Sequence, residues 1–479
     1  MPTAASPAIV WFRKDLRLSD NLALLAAVDH GGPVIPVYIR EKSCGRLGGA
    51  QEWWLHHSLA SLSAALEKIG GRLLLLSGGA EETLRQLISE TGADAVFWNR
   101  RYDPAGMATD KTLKRKLRDD GLTVRSFSGQ LLHEPSRLQT KSGGPYRVYT
   151  PFWRALEGGE EPHAPVNAPE KLKAPKTWPK SENLDGWKLL PVKPDWAKHF
   201  RDIWAPGEDG GREKLDDFID SALKGYEEGR DFPAKDATSL LSPHLALGEI
   251  SPATVWHATK GLSPHVASND ISRFRKEIVW REFCYHLLFH FPELDEKNWN
   301  DGFDAFRWRD DEKSFGAWTC GMTGYPIVDA GMRQLWKHGT MHNRVRMIVA
   351  SFLIKHLLID WRKGEKWFRD TLVDADPASN AANWQWVAGS GADASPFFRI
   401  FNPILQGEKF DGDGDYVRRF VPELGKLERK YIHKPFEAPK EVLKKAGITL
   451  GETYPEPIVD HGKARERALA AYADVKKNA

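Results

Sequence analysis

Short apolar runs alternate with amphipathic stretches over the first part of the chain, from Ala8 to about Gly129. The apolar runs predict buried parallel strands, at Ala8–Phe12, Val34–Ile39, Arg72–Leu76, Asp94–Trp98 and Thr123–Phe127. The stretches between them have helical spacing, which predicts helices over Asp20–Asp29, Gln51–Ile69, Glu81–Thr91 and Pro104–Asp119. Ser19 or Asp20 can cap the first helix, and a glycine follows the end of each one. This alternation predicts an α/β doubly wound domain with a parallel five-stranded sheet.

The pattern changes twice beyond the predicted sheet. Residues 131–206 are rich in Pro, Lys and Gly, which predicts a long connector on the surface, with Trp178, Trp187 and Trp196 as aromatic anchors. After about Gly211 the spacing turns helical and strand signals nearly vanish. Within this part, Met341–Leu358 predicts a single amphipathic helix. The chain is therefore predicted to contain an α/β domain (1–130), a connector (131–206) and an all-helical domain (207–479).

Composition and charge narrow the classes of protein further. The 479 residues are 41% hydrophobic and 28% charged, which is typical of a globular protein. A net charge of +3 would not by itself attach the chain to nucleic acid, so a polyanion site would have to be a local patch. Cys44, Cys284 and Cys320 are too few and too far apart for a disulfide framework or a zinc site, which suits the cytoplasm. No signal peptide or membrane span is predicted.

Two stretches carry candidate chemistry. The first strand is followed by Arg13–Arg17 without a Gly-x-Gly-x-x-Gly motif, so the usual dinucleotide fingerprint is absent. Asp374–Trp386 combines two carboxylates with a Trp-x-Trp pair in a chain of 19 tryptophans. Indole can lose and regain one electron, which suggests a redox role, although tryptophan more often simply fills a core. Thr238–Ser242 offers hydroxyl and backbone N–H groups that suit a pyrophosphate or an ordinary helix cap.

Four segments of the chain together resemble the photolyase/cryptochrome family. They are Trp11–Arg17, Thr323–Arg333, Met341–Met347 and, as a pair near the C-terminal end of the resemblance, Trp384-Gln-Trp386 with Phe398-Arg-Ile-Phe-Asn-Pro403. The resemblance covers nearly the whole chain and is closest to the bacterial class III enzymes that act on cyclobutane pyrimidine dimers. It implies a folded FAD in the helical domain, an antenna pigment on the α/β domain, and light-driven electron transfer.

The resemblance also implies a set of FAD-binding residues. They are Tyr226, Thr238, Ser239, Leu240, Leu241, Ser242, Phe274, Glu277, Arg281, Asn343, Arg344, Asp374, Asp376 and Asn380. Leu240 departs from the family pattern, in which a polar residue is common. Asn380 is expected to face flavin N5, where an amide oxygen can accept a hydrogen bond from N5–H of the reduced ring. Asp374 is expected to pair with Arg344 over the ring, and Asp376 to approach the flavin.

The same resemblance assigns a substrate pocket and a partner. DNA containing pyrimidine dimers is the expected partner, bound by a monomer that needs no protein partner. Glu277 is expected to hydrogen-bond the flipped dimer, between the flat walls of Trp280 and Trp386, with Asn343 and Met347 completing the pocket. Glu277 could equally form a plain surface ion pair. Arg230, Arg399 and Lys409 are candidates for contacts with flanking phosphates.

Three tryptophans are expected to carry electrons to the flavin. Trp384 lies four residues after Asn380 and should be the first donor, with Trp361 behind it and Trp308 near solvent. Packing is the alternative interpretation for each of them. A branch through Trp336, Trp367 or Trp386 stays open.

The antenna site is expected at the carboxyl ends of the strands, where open α/β sheets bind ligands. That edge offers Arg13, Tyr38, Arg40, Glu41, Asn99 and Arg101. The resemblance favours 5,10-methenyltetrahydrofolate as the pigment, with 8-hydroxy-deazaflavin as the alternative. Three other functions remain open: a (6-4) photolyase, a cryptochrome-type photoreceptor and a generic electron-transfer flavoprotein. The (6-4) group has a His pair at the positions of Asn343 and Met347, and its absence from this chain argues against that group.

Overall fold

A five-stranded parallel sheet forms the N-terminal part of the chain. The computed structural model describes residues 5–41, 47–262, 265–394 and 398–478; Cys44 lies outside them. The strands are β1 Ala8–Phe12, β2 Val34–Arg40, β3 Leu74–Ser77, β4 Ala95–Asn99 and β5 Thr123–Phe127, in the order β3-β2-β1-β4-β5. Their near-continuous apolar sequence follows from burial on both faces, since β1 and β4 are buried throughout. The doubly wound fold class predicted from the sequence is confirmed.

Four helices connect these strands, close to the predicted positions. They are α1 Leu22–Asp29, α2 Gly49–Lys68, α3 Ala80–Thr91 and α4 Pro104–Asp119. The predicted cap of α1 was wrong: Asn21 accepts the backbone N–H of Leu24, while the side chain of Asp20 is buried and accepts from Ser251. Gly92 ends α3 in the left-handed conformation, with φ 66°, as a helix-terminating glycine is expected to do.

The remaining chain is almost entirely helical. Its α-helices are α5 Tyr149–Glu157, α6 Glu208–Ser221, α7 Tyr226–Gly229, α8 Ser242–Leu247, α9 Pro252–Ala258, α10 Ser268–His290, α11 Glu312–Thr319, α12 Pro326–His338, α13 Asn343–Ser351, α14 Trp361–Thr371, α15 Pro377–Ala388, α16 Pro403–Phe410, α17 Asp415–Phe420, α18 Lys440–Ala446 and α19 His461–Asn478. Short 3-10 turns join several of them, and a π-helix, Phe352–His356, follows α13. The single helix predicted over Met341–Leu358 is therefore continuous from Asn343 to His356 but changes from α to π at Phe352. It ends before Leu358, which has φ 56°.

By contacts, the chain divides into two units that differ from the predicted regions. The first unit, here the sheet unit, comprises Met1–Trp196, Trp204–Lys224 and Ser239–Pro292. The second, here the helical unit, comprises Ala197–Ile203, Gly225–Thr238 and Glu293–Ala479. Most of the predicted connector belongs to the sheet unit, because its backbone bonds to the α/β layer: the Val34 N–H donates to Lys173 and the Glu182 N–H to Leu75.

Each unit has its own apolar core. In the sheet unit, side chains of all five strands and of α3 and α4 pack together, with Trp178 of the connector against them. In the helical unit, α12, α13, the π-helix, α14 and α15 surround a core that includes Trp318, Trp361 and Trp384. Among the described residues, no helix is long and apolar enough to cross a membrane.

Candidate functional site

One face of α10, in the sheet unit, carries the predicted substrate residues Glu277 and Trp280. Glu277 is about one-third exposed and lies 3.7 Å from Arg273, one turn earlier. The half-buried Trp280 packs edge-on against Tyr149 of α5, with ring centroids 4.8 Å apart. The Tyr149 hydroxyl donates to the Lys276 carbonyl at 2.6 Å, so α5 holds this part of α10. Burial and the nearby Glu277 carboxylate raise the pKa of Tyr149, so its hydroxyl stays protonated.

The other predicted FAD residues of the sheet unit differ in their contacts and in their exposure. Phe274 is buried against Phe218, with centroids 4.6 Å apart. Arg281 donates to the carbonyls of Gln130, at 2.9 Å, and Leu245, at 3.3 Å, which fastens α10 to its neighbours. Leu240 has φ 51° and its side chain is exposed. Leu241 is right-handed and α8 starts at Ser242, so a left-handed residue is followed by a right-handed one, the kind of turn that can form an anion-binding concavity.

The predicted pairing of Asp374 with Arg344 was wrong. Asp374 is buried and pairs with Arg346, whose Nη2 donates to both carboxylate oxygens at 3.0 and 3.1 Å. Arg344 pairs instead with Asp231, at 2.8 Å, and lies over the ring of Phe410. The physical reason is the helical phase of α13, because residues two apart point to different faces of a helix. Arg346, which was not among the predicted FAD residues, is therefore the ion-pair partner of Asp374.

Asn380, on α15, is held in one orientation by Glu365 of α14. Its Nδ2 donates to the Glu365 side chain at 2.7 Å and to the Glu365 carbonyl at 3.0 Å. Both partners are acceptors, so only the amide nitrogen can face them. Arg369 pairs with the same carboxylate at 2.8 Å, while burial raises the pKa of Glu365. The Asn380 amide oxygen is thereby presented as a fixed acceptor.

The remaining predicted FAD and substrate residues on or near α13 and α15 all lie in the helical unit. Asp376 is the N-cap of α15 and accepts the Ser379 N–H at 2.8 Å. Asn343 begins α13 and is exposed, and the half-buried Met347 lies one turn later. The Trp386 indole donates to the Asp393 carbonyl at 3.1 Å. Tyr226 is buried below Arg230.

The three tryptophans of the predicted relay all lie in the helical unit, and Trp308 is more exposed than the other two. Trp384 and Trp361 are 2% and 0% exposed, whereas Trp308 is half-buried. Trp384 packs edge-on against Phe368, at 5.0 Å, and Trp318, at 6.3 Å. Gly364 permits this approach, because a Cβ there would lie 2.2 Å from the indole. Trp361 donates to Asn298 at 3.0 Å. Trp336 stacks on Trp367 at the surface, which fits the packing interpretation for this pair.

The three predicted DNA-contacting cations differ in exposure. Arg399 and Lys409 are exposed. Arg230 is only 7% exposed and lies 5.4 Å from the centroid of the Tyr226 ring. A phosphate contact needs an accessible guanidinium, so this burial disfavours Arg230 and favours the other two.

The carboxyl ends of the strands hold a buried charge network instead of an open edge. Arg13 and Arg101 share Asp110, at 2.8 and 3.2 Å, and Arg101 also pairs with Glu41 at 2.8 Å. Asn99 donates to Asp15 at 2.7 Å and to Asn21 at 2.8 Å. Arg40 donates to the Trp187 carbonyl at 2.8 Å, and Tyr38 packs on the Trp187 ring. Most of these polar groups are thus engaged within the protein.

Comparison with known proteins gives matches along the entire chain. Residues 8–171 match the family model described as DNA photolyase, and residues 274–474 the FAD binding domain of DNA photolyase. A deoxyribodipyrimidine photo-lyase of Agrobacterium fabrum is 87% identical, with all of both chains covered. Cryptochrome-1 of Arabidopsis thaliana is 38% identical over 96% of this chain and 69% of its own. A bacterial class III photolyase from Agrobacterium tumefaciens matches with a TM-score of 0.98 and 86% identity, covering 100% of this chain and 99% of its own.

Proposed function

Because this chain belongs to the DNA photolyase family, we propose that it splits cyclobutane pyrimidine dimers in UV-damaged DNA with blue light. The observation that carries the proposal is the 87% identity with a deoxyribodipyrimidine photo-lyase over the full length of both chains. The alternative is a cryptochrome-type photoreceptor, because the chain is also 38% identical to a plant cryptochrome. When bound, reduced FAD supplies the light-excited electron for dimer splitting.

The arrangement of the helical unit fits a flavin. Asn380 offers an amide oxygen whose orientation is fixed by Glu365, which suits an N–H donor such as N5–H of the reduced ring. Asp374 is held by Arg346, and Asp376 is buried at the start of α15. In the sheet unit, the N–H groups around Leu240 suit a pyrophosphate. We propose that Asp374, Asp376 and Asn380 would hold FAD. Tyr226, Thr238 and the turn Ser239–Ser242, which the resemblance also implies, would complete the set.

The proposed substrate is a dimer flipped out of the DNA stack. Trp280 and Trp386 provide flat apolar surfaces, and Asn343 and Met347 of α13 offer an amide and a thioether. Glu277 is one-third exposed, so a substrate can reach its carboxyl group. Its proposed role is to donate a hydrogen bond from the O–H of the protonated carboxyl group to a pyrimidine carbonyl, because an ionised carboxylate can only accept. Such a bond stabilises negative charge on the dimer during splitting, the kind of electrostatic effect that often dominates catalysis.

Repair under blue light separates the candidate functions. The purified chain with reduced FAD should restore dimer-containing oligonucleotides in the light and leave them unchanged in the dark. Repair of (6-4) photoproducts instead would identify the other class of photolyase. Light-dependent flavin chemistry without repair of either lesion would favour a photoreceptor or an electron-transfer flavoprotein.

Removal of the Glu277 carboxyl group should lower repair without loss of FAD. In Glu277→Ala, dimer splitting per absorbed photon is expected to fall by about tenfold, since one charge-stabilising group is lost. Arg273→Ala is the matched control, because Arg273 is the ion-pair partner at 3.7 Å. If the ion pair rather than the carboxyl group matters, both variants will lose repair equally. An unchanged yield in Glu277→Ala removes this residue from the mechanism.

For an antenna pigment, we propose a cavity in the sheet unit rather than the edge of the sheet. A cavity of about 490 Å³ lies between α5, α9 and α10, within the usual volume of ligand sites. Trp153 and Trp256 line it, and the Arg275 guanidinium lies 4.4 Å from the Trp256 ring centroid. A planar, anionic pigment such as 5,10-methenyltetrahydrofolate would use both the indoles and the cation. Deazaflavin is the alternative pigment.

Cavity filling tests this placement. Ser272 lines the cavity and is half-buried, so Ser272→Trp should fill the space without removing core atoms. After incubation with methenyltetrahydrofolate, this variant is expected to retain FAD but lose the folate absorbance that the unaltered chain acquires. Arg40→Met, at the edge of the sheet, is the control and should still bind folate. If Arg40→Met loses folate and Ser272→Trp keeps it, the pigment binds at the edge of the sheet. If the unaltered chain does not bind folate, this pigment is excluded.

The proposed partner is DNA, and the proposed place of action is the cytoplasm at the nucleoid. A monomer suffices for an isolated lesion, so no protein partner is needed. Gel filtration with light scattering, with and without dimer-containing DNA, would test the monomer.

A further inference from the structure

Lys355 is a buried cation that none of the roles above explains. It is 3% exposed and lies in the π-helix Phe352–His356 of the helical unit. No carboxylate of the described residues offsets its charge, and Arg399 is the charged group that acts on it. Burial and Arg399 lower the pKa of Lys355 to about 7. An apolar side chain of similar length would fill this place at a smaller desolvation cost.

The Lys355 ammonium group is directed at one short segment, Phe398–Asn402. It donates a hydrogen bond to the Arg399 carbonyl, and it lies 4.5 Å from the centroid of the Phe398 ring. A cation at that distance from an aromatic face is attracted to it. The two contacts fix adjacent residues, so Lys355 holds both the backbone and the first side chain of the segment.

The same segment is fastened at three other points. The ring of Tyr472, on α19, stacks on the Phe398 ring with centroids 4.5 Å apart and an angle of 11°. The Phe401 N–H donates to the Ser351 hydroxyl at 3.3 Å. Asn402 caps α16 by accepting the Ile404 N–H at 2.9 Å. Arg399 therefore extends an exposed side chain from a backbone that is held on both sides.

We infer that Lys355 is a positioning residue for DNA binding, because it holds the Arg399 backbone so that the Arg399 guanidinium can meet a phosphate beside the lesion. The inference rests on the proposed function and on the proposed DNA contact of Arg399. A directional bond to the Arg399 carbonyl explains why a cation is buried where no acid neutralises it. A pre-positioned guanidinium loses less conformational freedom when it binds.

Lys355→Met tests the inference, because it removes the charge and the donor but keeps the length of the side chain. The dissociation constant for dimer-containing DNA should rise several-fold, and the slope of affinity against salt should fall by about one, as for a lost phosphate contact. Repair per absorbed photon at saturating DNA should be unchanged, since Glu277 and the flavin residues are not altered. Lys355→Arg, which can donate to the same carbonyl, should restore most of the affinity.

A double-mutant cycle with Arg399→Ala supplies the decisive comparison. If Lys355 acts through Arg399, the double variant should bind DNA no more weakly than Arg399→Ala alone. Unchanged affinity in Lys355→Met, or additive losses in the double variant, would overturn the inference. FAD content and melting temperature show whether each variant folds. If Lys355→Met does not fold, Ser351→Ala takes its place, because it removes the hydroxyl that accepts the Phe401 N–H. Its loss of DNA affinity should then also disappear in the Arg399→Ala background. Additive losses of Ser351→Ala and Arg399→Ala would overturn the inference.

Failure of the proposed function gives a different result. An unaltered chain that neither binds nor repairs dimer-containing DNA would contradict the function itself. An unaltered chain that repairs, with Arg399→Ala binding as tightly as the parent, would contradict the inference alone.

Discussion

Photoreduction of bound FAD is expected to slow by at least an order of magnitude in Trp384→Phe. A phenyl ring is much harder to oxidise than an indole, so it cannot replace Trp384 as the first electron donor. The Trp384 indole N–H has no hydrogen-bond partner among the described residues, so the substitution removes volume and redox chemistry but no hydrogen bond. The measurement is the bleaching of oxidised flavin under blue light with an external reductant.

Two comparisons separate the relay from packing. Trp98→Phe, in β4, is the matched control, because Trp98 is fully buried and its indole N–H also lacks a partner among the described residues. Both substitutions should cost about 1–3 kcal/mol of stability, but only Trp384→Phe should affect photoreduction. Chemically reduced Trp384→Phe should still repair dimers. Photoreduction at the parental rate would show that electrons enter elsewhere, for instance through Trp318, which touches Trp384.

The reduced flavin is expected to reoxidise severalfold faster in Asn380→Leu. Leucine has nearly the shape of asparagine but offers no oxygen to accept a hydrogen bond from N5–H. One hydrogen bond of this kind contributes about 1 kcal/mol, which corresponds to roughly a fivefold change. The measurement is the return of oxidised flavin absorbance in air and darkness, with FAD content checked in parallel.

Glu365→Gln is the control for this prediction. A glutamine amide oxygen can still accept the Asn380 Nδ2 group, as the Glu365 carboxylate does at 2.7 Å. Asn380 should then keep its orientation, and reoxidation should stay close to that of the parent. If Glu365→Gln accelerates reoxidation as much as Asn380→Leu does, the charge of Glu365 matters more than the amide of Asn380. Equal lifetimes in Asn380→Leu and the parent would remove Asn380 from flavin control.

The sequence predicted the sheet better than it predicted the contacts around the candidate site. The strand of residues 8–12 and the helix of residues 104–119 were predicted to the residue, because burial on both faces and helical spacing are local patterns. The same patterns could not show that Asn21 caps α1 in place of Ser19 or Asp20. Several oxygens in that stretch can accept, and the choice depends on which one tertiary packing brings into reach.

The candidate site shows the same division. Motif resemblance pointed to Asp374 and Asn380, since each lies in a long, specific segment. It did not identify Glu365 or Asp231, because nothing local in the sequence marks them as partners of Asn380 and Arg344. Arg346 lay within the quoted motif, two residues from Arg344, and the phase of α13 was the signal that could have found it.

The sequence by itself determined the fold class, the family and the residue types of the chemistry, because these follow from periodicity and contiguous motifs. Tertiary structure alone decided which carboxylate meets which guanidinium, which way the Asn380 amide faces, and why a lysine is buried beneath Arg399. These facts depend on distances between residues far apart in the chain, such as Asp231 and Arg344, or Lys355 and Arg399. A hydrogen bond weakens steeply with distance and angle, and these ion pairs are also hydrogen-bonded, so their partners are set only when the helices have packed.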